Sequence, residues 1–307
     1  MIPSDSPYWS QVRLLVEILP FVAEEDCFAL KGGTAINFFV RDLPRLSVDI
    51  DLAYLPINDF ETSRREIDLA LRRVMKRLTN VSPPYDVTVG DNDGSAMIDT
   101  LNVRSRGVQV KIEVNPVIRG AIHAPQTMAV RPLVEEQIGF ARVNMLAFDD
   151  LYAGKLVAAI DRQHPRDLFD VKVLFENEGF TDSLFRAFMV YLVGHKGTLS
   201  DTLNPNRKPL DELYRTQFES MANREVSIEQ LVATREDLIK AIHARLGAKE
   251  KQFLLSVKRR APEWGLLGLE DAAKLPAVKW KLYNLGRMEK GAHQRAVERL
   301  ARLLDEI

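Results

Sequence analysis

The sequence predicts an α+β protein: an N-terminal domain with a mixed sheet over residues 1–140, followed by an all-helical domain over 141–307. Three observations lead there. Short apolar runs, several of them alternating with polar residues, recur up to about residue 117 and are separated by glycine-bearing turns. Helical patterns are interleaved with these runs. From residue 146 onward the pattern is helical to the end of the chain. A chain of 307 residues is also long for one compact core.

The elements follow in order. Val12, Leu15, Val16 and Leu19 repeat at helical spacing, so residues 10–22 read as a helix ending near Pro20. Residues 28–30 are a short strand, 31–34 a turn, and 35–40 the start of a helix. A strand over 46–55 and an amphipathic helix over 59–78 come next. Strands over 85–89, 96–104 and 108–117 are separated by turn signals at 90–94 and 105–107. Helices are then expected over 146–161, 165–178, 182–193, 210–221, 228–246, 249–260 and 294–307, with the domain boundary within 132–145.

Composition narrows the function classes. The apolar fraction of 46% and charged fraction of 28% are those of a soluble globular protein, and no run approaches a membrane span. The start, Met1 to Pro7, has neither the basic nor the apolar region of a signal peptide. Cys27 is the single cysteine, which excludes a disulfide framework and fits a reducing cytoplasm. Five scattered histidines offer no zinc spacing, so any metal here is a hard cation held by carboxylates. From Lys240 to the end the chain carries a net charge of +7, and the remainder −8. That asymmetry suits a tail that meets a polyanion; two solvated helical faces explain it as well.

The chemistry-bearing residues lie in two stretches, Gly32-Gly33-Thr34 and Arg45 to Leu52. Asp49 and Asp51 are two apart on a strand and share a face, while Val48, Ile50 and Leu52 take the other. Two carboxylates about 4 Å apart repel by roughly 1 kcal/mol in water and about 4 kcal/mol at an effective dielectric of 20. A divalent cation offsets that repulsion, and magnesium prefers one or two carboxylates plus phosphate oxygens. A bare pair of this kind can equally be the polar side of an edge strand. The glycine turn shifts the balance: its backbone N–H groups can approach an anion closely, with a helix N-terminus behind them. A tight turn with Thr34 as N-cap is the plainer account. Neither a P-loop nor a dinucleotide fingerprint is present; the stretch from Gly194 to Thr198 imitates a P-loop only in part, since no strand precedes it.

A third carboxylate belongs on a neighbouring strand. Val108, Val110, Ile112 and Val114 alternate with Gln109, Lys111 and Glu113, which makes Glu113 the candidate, with Asp99 as the alternative. Its role would be to bind a second metal or to take the proton of an attacking hydroxyl; an outward polar face is the competing account.

Lys31 to Ala35 together with Arg45 to Leu52 resembles the AbiEii/AbiGii toxin family of nucleotidyltransferases. A second block agrees: Lys155 to Ala159, Arg162, and Arg166 to Asp170. A third runs through Pro262-Glu263-Trp264 and Leu275 to Leu285. The resemblance implies a polymerase-β-like nucleotidyltransferase fold, and NTP as substrate with Mg2+ (or Mn2+) as cofactor. It implies transfer of NMP to an acceptor, the 3′ end of tRNA in related toxins. It further implies the toxin half of a type-IV-like toxin–antitoxin pair serving abortive infection and phage defence, with a cognate antitoxin as partner. It assigns phosphate binding to Gly32, Gly33 and Thr34, a place beside the triphosphate to Ser47, metal binding to Asp49 and Asp51, and active-site roles to Lys155 and Asp167.

The second block has its own physical reading. Lys155 lies in the apolar stripe of its helix and so needs a partner, either a triphosphate or Asp167; a lysine snorkelling from the stripe's edge is the alternative. Pro165 suits the first turn of the next helix, where the dipole favours Asp167, so Asp167 and Asp170 could be structural with Arg162 or Arg166 as partners. His164 reads as a loop histidine. In the tail, Lys258-Arg259-Arg260, Trp264, Lys279-Trp280-Lys281 and Tyr283 interleave cations with aromatics, a pattern suited to RNA. The tryptophans are expected mostly in the core and the charges as an RNA-facing rim. Two other functions stay open: a small-molecule nucleotidyltransferase of the antibiotic-modifying kind, and a non-catalytic nucleotide-binding regulator.

Overall fold

Val12, Leu15, Val16 and Leu19 are all buried on helix α1 (Trp9–Ala23), which runs through Pro20 instead of ending there. The computed structural model describes residues 8–90 and 97–307; Met1 to Pro7, most of the turn expected at 90–94 and the start of the strand expected from Ala96 lie outside them. The chain forms two compact units, Met1–Leu151 with Glu219–Glu225, and Tyr152–Phe218 with Val226–Ile307.

The first unit is built on a seven-stranded mixed sheet. Its strands are β1 (Phe28–Lys31), β2 (Asp49–Tyr54), β3 (Asp86–Val89), β4 (Thr100–Ser105), β5 (Val108–Val114), β6 (Gln126–Ala129) and β7 (Arg142–Met145). The spatial order is β3-β4-β5-β2-β1-β7-β6. The β2–β5 and β1–β7 pairs are parallel and the rest antiparallel. Helix α2 (Gly32–Ala35) continues directly into a π-helical turn over Ile36–Val40. Helix α3 (Phe60–Asn80) starts at Asp59, whose side chain caps the Thr62 N–H at 2.8 Å. Ile67, Ala70, Leu71, Val74 and Leu78 form its buried stripe. Leu30, Leu52, Leu19 and Val22 line one small apolar hollow, so α1 covers the sheet face that carries Leu30 and Leu52. The opposite face of β2 carries Asp49 and Asp51.

Three elements of this unit went unpredicted: β6, helix α4 (Pro132–Gln137) and β7. The expected division at 140/141 falls just before β7, which joins the sheet by pairing Met145 with Leu30. The two units divide after Leu151 instead. A return segment over Glu219–Glu225 adds to the first unit: Ala222 bridges Arg45, and the Leu46 N–H donates to the Met221 carbonyl at 2.8 Å.

The second unit is helical. It contains most of α5 (Phe148–Arg162), then α6 (Pro165–Asn177), α7 (Asp182–Gly194), α8 (Leu199–Leu203) and α9 (Asp211–Gln217). They are followed by α10 (Ile228–Arg245), α11 (Ala248–Lys258), α12 (Pro276–Gly286) and α13 (Lys290–Glu306). The helix expected over 210–221 stops at Gln217, because the chain then returns to the first unit. Pro276 opens α12, a helix the apolar pattern did not reveal. No described helix is long and apolar enough to cross a membrane.

Candidate active site

Strand pairing gathers the acidic residues of the first unit. Ile50 and Leu52 are buried, so Asp49 and Asp51 share the other face of β2, where both are half-buried. In the parallel pairing with β5, Asp51 stands beside Glu113 and Asp49 beside Lys111. On the other side β1 places Lys31 opposite Asp51, and β4 places Thr100 opposite Glu113. One row across four strands therefore reads Lys31, Asp51, Glu113, Thr100. Asp99 precedes Thr100 by one residue and gives its carbonyl to the Val114 N–H at 2.9 Å. It is out of phase with the row, so Glu113 is the carboxylate in register with Asp51.

The glycine turn is pressed against this row. Gly32 has φ of 73°, a left-handed conformation in which a side chain is strained, and a Cβ there would overlap the Asp51 Oδ2 and stand 3.1 Å from its Cγ. A Cβ on Gly33 would stand 2.7 Å from the Ser47 Oγ and 2.9 Å from a guanidinium nitrogen of Arg45. Ser47 and Arg45 are both buried. Thr34 is buried as well, and its hydroxyl donates to the Asp49 carbonyl at 2.6 Å. The Thr34 side chain thus ties the turn to β2 and leaves only its backbone N–H for a phosphate. Asn37 adds a second tie, its amide donating to the Gly33 carbonyl at 2.9 Å.

Lys111 is the residue that sequence reading passed over, although it lies on the same alternating face as Glu113. Its ammonium pairs with the Glu113 carboxylate. That hydrogen bond, chiefly, holds the Lys111 pKa above the ordinary lysine value; burial opposes it, and the charges of Glu113, Asp49 and Asp51 add to it. Among the described residues, no group of three or more His, Cys, Asp or Glu side chains is placed to hold a metal ion. With Glu113 turned to Lys111, the donor set is the pair Asp49 and Asp51. Two carboxylates fit magnesium, which completes its shell with water and phosphate oxygens.

The second unit holds a separate charged cluster. Lys155 on α5 is buried and pairs with Asp167 at 2.7 Å and Asp170 at 3.0 Å, both buried on α6. Arg162 reaches Asp167 at 2.8 Å with its own side chain 62% exposed. Lys155 is therefore no snorkelling lysine but the counter-ion of two carboxylates, with Asp167 in the first turn of α6. The turn between the helices has Gln163 at φ 54°. Its buried side chain holds it there, donating to the Asn206 carbonyl and accepting from the Lys208 N–H and Arg235. His164 is the N-cap of α6, its Nδ1 accepting from the Arg166 N–H at 3.1 Å. The carbonyls of His195 and Gly197 accept from Lys281, so the partial P-loop mimic faces a cation with its carbonyls. Trp264 is core, as expected, but Trp280 is 54% exposed: it lies on the solvent side of a helix whose inward side is taken by Val278 and Leu285.

Residues 13–280 match the family described as nucleotidyl transferase AbiEii toxin, type IV TA system. The fold is similar to that of MenT4, a nucleotidyltransferase toxin from Mycobacterium tuberculosis H37Rv, with a TM-score of 0.61 and 15% sequence identity over 90% of this chain and 92% of that one. No curated protein matches the chain in sequence.

Proposed function

We propose, from the premise that this chain belongs to the AbiEii family of nucleotidyltransferase toxins of type IV toxin–antitoxin systems, that it transfers NMP from an NTP to an RNA acceptor, the 3′ end of tRNA being the acceptor to test first. The observation that carries the reading is the fit of Gly32 against Asp51, where only a residue without a side chain leaves the turn's backbone beside the acidic pair.

In this reading the backbone N–H groups of Gly33 and Thr34 bind the triphosphate, with Gly32 and Ser47 holding the turn open to it. The acceptor hydroxyl attacks the α-phosphorus in line; one P–O bond forms, the bond to the leaving pyrophosphate breaks, and Glu113 accepts the hydroxyl proton. Lys111 pairs with that carboxylate and holds it in the acidic row. A divalent cation would be held by Asp49 and Asp51, or by these and Glu113 if that carboxylate leaves Lys111 and serves as ligand instead of base, and would supply charge neutralisation for the transfer. Lys155 and Asp167 keep the active-site roles that the resemblance implies, and their buried ion pair supports Asp167 as the residue that orients Lys155. An antitoxin partner follows from the family.

Incubation with each labelled NTP and either total RNA or small-molecule acceptors tests the reaction. Asp49→Ala and Asp51→Ala are expected to abolish label transfer while leaving the circular dichroism spectrum and Tm in place. Full transfer by either variant would remove the proposed metal role, and label on small molecules alone would replace RNA as the acceptor.

A further inference from the structure

Helix α12 carries two large aromatic side chains in water: Trp280 is 54% and Tyr283 53% exposed. Their rings stack, with centroids 5.5 Å apart and planes 20° apart. The Arg287 guanidinium lies 5.6 Å from the Tyr283 ring centroid. Positions 280, 283 and 287 follow one face of a helix, so ring, ring and guanidinium form a continuous ladder.

Along α12 and its C-cap the charge is of one sign. Residues 276–288 contain Lys279, Lys281 and Arg287 and no Asp or Glu. Lys281 is turned inward, donating to the His195 carbonyl at 2.7 Å and the Gly197 carbonyl at 2.5 Å. Lys279 and Arg287 are the exposed cations. An occupant of this face needs flat apolar rings to lie on Trp280 and Tyr283, and negative charge at short, regular intervals to meet the cations. Unpaired bases on a phosphate backbone have both. In a duplex the same bases are stacked on one another and offer no free face.

We propose that Trp280, Tyr283 and Arg287 form a stacking platform for unpaired bases of single-stranded RNA. It deepens the proposed function, resting on RNA as the acceptor, and uses residues other than those assigned to the chemistry. A protein surface, such as the antitoxin's, is the occupant the charge pattern favours less.

The test is a titration of the full chain with a short unpaired RNA oligonucleotide, read by anisotropy of the labelled RNA and by tryptophan emission. The expected result is quenched emission in the wild type, absent in Trp280→Phe, which keeps most of the affinity. Trp280→Ala/Tyr283→Ala is expected to bind the oligonucleotide about five- to hundredfold more weakly with an unchanged Tm. Its affinity for a duplex of the same length is expected to stay as in the wild type. Wild-type affinity in the double variant overturns the platform, as does an equal loss towards single strand and duplex. Unchanged RNA binding with weakened capture of purified antitoxin assigns the face to a protein and overturns it too. Carrying the titration through in an Asp49→Ala background separates the two ideas: binding reports on the platform, while transfer by that same variant reports on the proposed chemistry.

Discussion

Gly32 lies so close to Asp51 that a methyl group on the glycine would overlap the aspartate's carboxylate. The contact joins the two stretches of sequence that carry the chemistry, and φ of 73° at Gly32 makes a side chain unfavourable for a second, independent reason.

Gly107 separates these two costs. Its φ is 80°, and a Cβ there would meet nothing within 4 Å. Gly107→Ala is expected to lose about 1 kcal/mol from strain alone. Gly32→Ala should lose a further 1–3 kcal/mol, roughly, because a packed carboxylate must shift. Denaturant unfolding of both variants checks this. Equal losses would mean that Asp51 is free to swing away and the fit is loose. Transfer should fall with Gly32→Ala and stay unchanged with Gly107→Ala.

The acidic row was legible because strand alternation is a local signal. Period two placed Asp49 with Asp51, and Lys111 with Glu113. Which residue of β5 stands beside which residue of β2 is non-local, and the observed pairing of Asp51 with Glu113 depends on it. The same limit hid β7: four residues cannot show a period, and its partner β1 lies more than a hundred residues earlier. The return of Glu219–Glu225 to Arg45 is of that kind too. Trp280 misled for another reason. A tryptophan is read as core for its size, even between Lys279 and Lys281, yet position 280 is on the side of α12 away from Val278 and Leu285. Gln163 and Arg235, which hold the α5–α6 turn, leave no pattern in the sequence because they meet only in space.

Lys111 predicts how the acidic row responds to a cation. Its pKa is raised first by the hydrogen bond to Glu113, so Lys111→Ala leaves Glu113, Asp51 and Asp49 with less compensating charge. Magnesium should then bind the variant about two- to fivefold more tightly than the wild type at low ionic strength, a modest effect because the pair is partly exposed. Calorimetric titration with magnesium measures it. Equal affinity would show that Lys111 and a cation do not compete for Glu113.

Lys281 predicts a rise of stability in alkali. Burial, with the like charge of Lys258 second, pushes its pKa down from 10.5 to about 8. Below pH 8 the ammonium is charged in both folded and unfolded chains, and the folded state bears the full cost of burying it. Between about pH 8 and 10.5 the unfolded chain holds more protons, so this site's contribution to stability increases with pH, by about 3 kcal/mol across the window. The Cys27 thiol, pushed up to about 11 by burial, titrates nearby but is common to wild type and variant. The difference in unfolding free energy between wild type and Lys281→Met should therefore climb through this window. A flat difference would mean that the two carbonyls bound to Lys281 stabilise its charge as well as water does.

Lys155 is where structural and chemical roles must be separated. Lys155→Met removes the counter-ion that the buried carboxylates of Asp167 and Asp170 share, with Arg162 still reaching Asp167, and is expected to lose about 3–5 kcal/mol. Adding Asp167→Asn to it removes one of the stranded charges, so the double variant should recover part of that loss, a coupling of about 0.5–3 kcal/mol. Stability and label transfer, measured on both variants below their unfolding temperatures, then diverge or agree. Transfer that returns with stability assigns the pair to holding α5 against α6. Transfer that stays lost while stability returns assigns it to the reaction, and that second outcome is the one the proposed function expects.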